Sequence, residues 1–257
     1  MRIIAITREL TAAIGSCELT FLPRARIDFA RAQQQHLDYQ SALASLGCEI
    51  IVVSSSLGLA DSVFIEDTAM VLDEIAVMLR PGVASRLPEL AGVENVLQQY
   101  RTLRAIDPPG TLDGGDLLRV GNTIFAGLST RSNQSGIQQL RDIVSDHGLR
   151  VETVETTKCL HLKSAVTEIA PGTLLINPDW ISSSVFKEFE LIRVDREEAH
   201  AANALRVGQG LIYPSSFPRT TNELVKLGIN VIPVDLSELQ KAEGAVTCCS
   251  LVFSAPG

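Results

Sequence analysis

Two cysteines, Cys248 and Cys249, stand side by side in GAVTCCSLVF (244–253), near the end of a 257-residue sequence. A cysteine can act as a nucleophile, a metal ligand or a disulfide partner, and in the first two roles the thiolate is the active form. The surrounding residues are β-formers and read as a strand over 246–253, in which successive side chains face opposite sides. On that reading one thiol does chemistry while its neighbour packs as a small hydrophobe. A base would be needed nearby, and His161 in CLHLKS (159–164) is the histidine that stands out. It lies between Leu160 and Leu162 in a strand-like run, where an imidazole requires a partner. His36 and His200 fall on helical segments and His147 at a helix C-terminus, so these three read as structural. Carboxylates cluster in DSVFIED (61–67) and TLDGGD (111–116). Asp61, Glu66 and Asp67 around an apolar strand are costly to bury, so they mark either a solvated strand end or a cation site. The spacing lacks the alternate ligands and turn glycine of a hard-metal loop, which favours an organic ammonium or guanidinium.

The elements that would position these residues follow a repeated pattern. Helical periodicity appears over roughly 28–46, 85–100, 133–147, 179–188 and 219–227, with Asn133 as a plausible N-cap. Each helix is followed by a β-branched strand: EIIVVS, TLRAID, RVETVE, LIRV and NVIPVD. Three of these share a glycine exit, in LGCEIIVV, HGLRVETV and LGINVIPV. Extra short strands are expected at 63–71, 75–80, 116–120, 122–126, 160–169, 173–176, 204–207, 211–213 and 246–253. Strands outnumber helices, so a plain doubly wound sheet fits poorly and a ring of five ββαβ modules fits better. No linker divides the chain, and one domain over 1–257 is expected.

Composition narrows the function. The net charge of −8 argues against nucleic acid, whose phosphates need Lys and Arg, and permits a small cationic ligand. No apolar run is long enough to cross a bilayer, and MRIIAITREL is too short for a secretory signal, so the cytoplasm and reduced thiols are expected. Neither a Walker loop nor G-x-G-x-x-G occurs, and the two aspartates of the glycine-rich TLDGGDLLRVG would repel phosphate. Zinc and calcium motifs are absent, so neither a cofactor nor a metal is expected.

DSVFIED, RPGVASR (80–86), TLDGGD, GLSTRSN (127–133), LHLKS and TCCS occur in the order found in dimethylarginine dimethylaminohydrolases. The sequence resembles that family from its first strand to Phe253, AIGSCEL included. The resemblance implies the pentein fold, a five-bladed α/β propeller. It also implies hydrolysis of Nω-methylated arginine to citrulline and a methylamine through a covalent S-alkylthiouronium. Cys248 then corresponds to the nucleophile, His161 to the acid–base residue and Asp113 to its carboxylate partner. Asp61, Glu66 and Asp67 correspond to substrate-binding carboxylates, with Asp61 the better candidate for the substrate ammonium. Arg86 and Arg131 correspond to the residues holding the substrate carboxylate. Ile14–Leu19 corresponds to a lid whose Leu19 faces the substrate, and Ala242 to a position that contributes its backbone carbonyl.

Rival readings are an arginine deiminase-like enzyme acting on unmethylated arginine, a non-catalytic pentein-fold binding protein, and a metal protein built on Cys248, Cys249 and His161. Apart from that reading, zinc bound adventitiously on the Cys248–His161 pair would act as an inhibitor. The implied partner is a small cationic amino acid, with a homodimer possible through the propeller's exposed edges.

Overall fold

In a computed structural model, residues 2–55 and 58–255 are described. They form five three-stranded sheets, each an antiparallel pair whose second strand is followed, after an intervening segment, by a parallel third. The first sheet holds β1 (Arg2–Arg8), β2 (Cys48–Val53) and β15 (Leu251–Ala255). The second holds β3 (Ala69–Val71), β4 (Ile75–Met78) and β5 (Thr102–Ala105). The third holds β6 (Leu117–Val120), β7 (Thr123–Leu128) and β8 (Arg150–Glu155). The fourth holds β9 (Val166–Ala170), β10 (Thr173–Ile176) and β11 (Glu190–Arg193). The fifth holds β12 (Leu205–Val207), β13 (Gly210–Pro214) and β14 (Asn230–Val234).

The helices are α1 (Phe29–Ser45), α2 (Leu90–Leu97), α3 (Gln134–Ser145), the short α4 (Leu162–Ala165), α5 (Pro218–Lys226) and α6 (Ser237–Gln240). Local chemistry sets the ends of the longer ones. Asp28 caps α1 through the Arg31 N–H, and Asn133 caps α3 through the Gly136 N–H. Gly47, Gly148 and Gly228, with φ of +86°, +67° and +79°, turn the chain out of α1, α3 and α5 into the next strand. The three similar exits in the sequence are therefore one piece of backbone chemistry used three times.

The blades form a five-bladed α/β propeller. Their innermost strands are β15, β3, β6, β9 and β12, and β15 touches β3, β6 touches β9, and β9 touches β12. The ring closes within the first blade, where β15 pairs antiparallel with β1 from Arg2–Ala255 to Ile6–Leu251. Apolar side chains fill the space between sheets and helices in five clusters rather than one central core. Because each inner strand runs antiparallel to its middle strand, the loop before the former and the loop after the latter share one face. Among the described residues no helix is long and apolar enough to cross a membrane.

Some expected elements differ. The 85–100 helix divides into a 3-10 turn, Ala84–Glu89, with Pro88 inside it, and α2. The 179–188 helix reduces to a 3-10 turn at Ser183–Phe186, and His200 lies in a turn. The three chemistry-bearing stretches are not strands. Cys248 and Cys249 lie in a turn ahead of β15, His161 is the extended N-cap of α4, and Ile65–Thr68 is a 3-10 turn leading into β3. Apolar, β-branched residues bury equally well in such turns, so composition alone could not separate them from strand.

Candidate active site

Each blade delivers site residues from the turn just before its innermost strand. Cys248 precedes β15, Glu66 and Asp67 precede β3, and Asp113 precedes β6. His161 and Lys163 precede β9, and Asn203 precedes β12. A narrow cavity of about 20 Å³ lies at this junction, room for a water but not for an arginine side chain. Cys248, His161, Asp61, Asp67, Arg86, Arg131 and Ala242 all line it. A larger cavity, about 470 Å³, adjoins it over the fourth and fifth blades, but neither Cys248 nor His161 reaches it. The chemistry therefore belongs to the small one.

The turn carrying the cysteines is pinned from several sides. Tyr39 on α1 donates its hydroxyl to Val246 O at 2.7 Å and meets Ser250 Oγ at 2.6 Å. Cys248 O accepts the Glu66 N–H at 3.1 Å, and Cys248 N donates to Ala245 O at 3.2 Å. Cys248 is half-buried, whereas Cys249 is fully buried among apolar residues. The two thiols thus meet different surroundings, but a turn produces the difference rather than strand alternation. Burial and the facing carboxylates of Glu66 and Asp67 push the Cys248 thiol up to about 12.

His161 Nε2 meets Asp113 Oδ2 at 3.0 Å, with both side chains buried. Burial alone would make the ring less basic, but Asp67, the Asp113 hydrogen bond and Asp116 outweigh it and raise the ring to about 9. At neutral pH the pair is an imidazolium on a carboxylate. Asp113 is oriented in turn by the Gly82 N–H at 2.8 Å and by its own N–H on Ser132 Oγ at 3.0 Å. TLDGGD contributes closeness rather than unusual dihedrals, since neither Gly114 nor Gly115 has positive φ. A Cβ on Gly114 would stand 1.9 Å from Glu66 O, and one on Gly115 would stand 2.5 Å from His161 Nδ1.

The carboxylates differ in what they face. Asp67 accepts the Gly115 N–H at 2.9 Å and Arg86 Nη1 at 2.6 Å. Despite its burial, the charges of His161 and Arg86 hold it down to about 2. Glu66 pairs with Lys163 Nζ and accepts Thr247 Oγ1 at 2.8 Å. Asp61 accepts the Glu18 N–H at 3.2 Å through both oxygens, and burial raises its pKa above the ordinary carboxylate value. Arg86 is buried behind Asp67. It also binds Glu89 and Phe64 O, so one Nη1–H is left without a partner among the described residues. Arg131 is less committed, donating to Thr20 Oγ1 at 3.2 Å. Leu19 is partly buried against the first-blade core beside Cys248.

Asp67, Asp113 and His161 bring one potential metal-ligating atom each within 4.8 Å of one another. Their mutual charges and the hydrogen bonds above already account for these atoms, so the cluster is self-contained without an ion.

Five residues were not foreseen. Lys163 neutralises Glu66 from α4, Thr247 and Asn203 extend that contact, and Glu89 backs Arg86. Asp116, fully buried, accepts Ser129 and Ser132 hydroxyls at 2.6 Å each and the Leu162 N–H at 2.9 Å, fixing the backbone next to His161. Lys163 and Asp116 lie inside motifs already noticed, LHLKS and TLDGGD. Reading the polar residues within those motifs as partners would have found them.

The fold and this site define a class: α/β-propeller hydrolases with a cysteine nucleophile and a histidine–carboxylate pair at the hub. Residues 6–253 match the family described as N,N dimethylarginine dimethylhydrolase, eukaryotic, and the chain belongs to that family. It is 35% identical over 228 residues to the N(G),N(G)-dimethylarginine dimethylaminohydrolase of Pseudomonas aeruginosa, covering 88% of this chain and 90% of that one. Identity to the enzyme of the same name from Streptomyces coelicolor is 37% over 249 residues, 96% and 95% of the two chains. A solved structure of the Pseudomonas aeruginosa protein, a cysteine-to-serine mutant complexed with citrulline, superposes with TM-score 0.94 and 32% identity over 98% of this chain and all of that one. A histidine-to-glycine dimethylarginine dimethylaminohydrolase carrying an adduct of S-methyl-L-thiocitrulline superposes with TM-score 0.93, at the same identity and coverage.

Proposed function

We propose that this chain hydrolyses Nω-methylated arginine to citrulline and dimethylamine or methylamine, with Cys248 as nucleophile. The carrying observation is that one small cavity joins Cys248, His161 and the carboxylates of Asp61 and Asp67, with Asp113 paired to His161. That set suits a substrate with a cationic head and a zwitterionic tail.

In the free site the Cys248 proton is retained, because burial and two carboxylates oppose a thiolate. A guanidinium placed between Asp67, Glu66 and the sulfur cancels that opposition, so substrate binding itself favours ionisation, and the thiol proton passes to solvent because His161 is already charged. The same carboxylates keep the guanidinium plane against the sulfur, which lowers the entropic part of the barrier. Attack on the guanidinium carbon forms a C–S bond and a neutral tetrahedral adduct. His161, already protonated, gives its proton to the dimethylamino nitrogen; the C–N bond breaks, leaving an S-alkylthiouronium and a neutral ring. The neutral ring then takes a proton from water as its oxygen attacks the same carbon. Collapse breaks the C–S bond and releases citrulline; the adduct's hydroxyl proton passes to the departing sulfur, so the Cys248 thiol and the imidazolium are both restored. Asp113 holds the ring and stabilises its charged form throughout.

For the remaining groups, Arg131 supplies bidentate donors to the substrate carboxylate, and Arg86 adds its free Nη1–H and fixes Asp67. Asp61 takes the ammonium, while Leu19 and the Ala242 carbonyl line the walls. The compartment in this reading is the cytoplasm, in keeping with five unpaired thiols. Citrulline release from dimethylarginine, arginine and agmatine compared side by side tests the substrate. Faster turnover of dimethylarginine is expected; faster turnover of arginine would favour the deiminase reading.

A further inference from the structure

Residues 12–22 border the catalytic cavity through Glu18 and the larger cavity through Phe21 and Leu22, and their attachment to the rest of the protein is uneven. Two ties use side chains that the substrate itself is expected to claim: Asp61 on the Glu18 N–H, and Arg131 on Thr20 Oγ1. A third, Ser85 Oγ on Glu18, lies at the surface. Arg24 grips Gly15 O at 2.8 Å and Cys17 O at 2.6 Å, bracing the segment against itself. Ile14 and Cys17 are buried in the core, and the remaining hydrogen-bond tie among the described residues is concentrated on one residue. Glu243 accepts three consecutive backbone N–H groups, from Thr20 at 3.0 Å, Phe21 at 2.5 Å and Leu22 at 2.6 Å.

Glu243 is also the one non-glycine residue with positive φ among the described residues, at +60°. A side chain held in that region indicates surroundings that over-determine it, and such strain concentrates at switch and clamp positions. Its neighbour Ala242 walls the catalytic cavity, and Glu243 itself borders both that cavity and the larger one beside it. The same short stretch continues into the Cys248 turn.

We propose that Glu243 is the positioning residue that latches the lid over the catalytic cavity, by a carboxylate that holds three consecutive lid N–H groups. Because the latch grows from the Cys248 turn, it sets the lid's height over the sulfur. Binding of the substrate ammonium frees the Glu18 N–H from Asp61, and Glu243 then keeps the lid in register until product leaves. The proposal rests on the hydrolase reading for its kinetic consequence, but not for its structural one.

The test uses the full chain with Glu243→Ala, Glu243→Gly and Glu243→Gln. Glycine removes the backbone strain along with the latch, so a fold defect from strain cannot explain its behaviour. Two readouts need no substrate: amide hydrogen exchange over residues 12–22, and iodoacetamide alkylation of Cys248 followed by peptide mass. The Ala and Gly variants are expected to accelerate both at least about tenfold, with exchange elsewhere unchanged, since three charge-assisted acceptor contacts are lost. Gln, which keeps one carbonyl oxygen, should fall between them and the parent. With dimethylarginine, KM should rise about tenfold while kcat changes less than about threefold. Unchanged lid exchange and unchanged Cys248 alkylation in the Gly variant would overturn the latch. A parent chain inactive on dimethylarginine would sink the substrate assignment alone and leave those two readouts valid.

Discussion

At the scale of single residues, the account separates two cysteines that are indistinguishable by type. Cys248→Ala should reduce citrulline release to background, because no other described thiol shares the cavity with His161. Cys249→Ala should retain most activity and cost about 1 kcal/mol of stability, the usual order for removing one buried heavy atom; urea unfolding and turnover assays check both. The charge on His161 is needed for the first half-reaction, and its ring is raised to about 9. Turnover should therefore persist through neutrality and fall as pH rises through about 9. A pH profile with an alkaline limb near 6.5 would contradict that charge state. The identity of these residues was legible in the sequence, since the ordered motifs pointed to Cys248, His161 and Asp113. The state of each was not, because the shifts on Cys248 and His161 come from Asp67, Glu66 and Asp116, neighbours that only the fold supplies.

At the scale of elements, the turns ahead of the inner strands matter more than the strands. The sequence gives strand-like composition to DSVFIED, CLHLKS and the TCCS region, yet each places its functional side chain from a turn or a helix cap. Two of the turns are pressed together where Gly115 meets His161. Gly115→Ala should lower kcat about 100-fold by displacing the imidazole, with little change in KM, since small misplacement of a reacting group costs about that much. Steady-state kinetics beside an unaltered circular dichroism spectrum would check it. The helices α1, α3 and α5 were readable to within a residue or two, because caps and glycine exits are local signals. The 179–188 segment was not: it lacks a side-chain cap, and only Ser183–Phe186 turns, as a 3-10 turn. Arg86 shows the same limit at a motif position, since its burial behind Asp67 and against Glu89 follows from packing and not from RPGVASR itself.

At the scale of the whole molecule, the ring is closed by pairing the two ends of the chain in one blade, and the hub is charged. Five repeating modules were countable in the sequence; that the last strand completes the first blade was not, because no local signal marks a pairing across the entire chain. Removing residues 251–257 should leave β1 without its antiparallel partner and abolish cooperative thermal unfolding. The buried hub also links stability to pH. His161 stands near 9 in the folded chain against 6.5 in a free histidine. Its stabilising contribution is thus complete below about 6.5 and lost as pH rises through 9, amounting to roughly 3 kcal/mol. Asp67, held near 2 against 3.8, contributes above about 3.8 and loses that contribution as pH falls through 2. Denaturant titrations between pH 6 and 10 should show the alkaline loss, and His161→Asn should flatten it. The central claim is that one thiol at this hub attacks the guanidinium carbon, and mass spectrometry of the enzyme quenched during turnover of dimethylarginine tests it most directly. A substrate-derived adduct on the peptide from 244 to 253, localised by fragmentation to Cys248, is the predicted result; an adduct on Cys249 would contradict it.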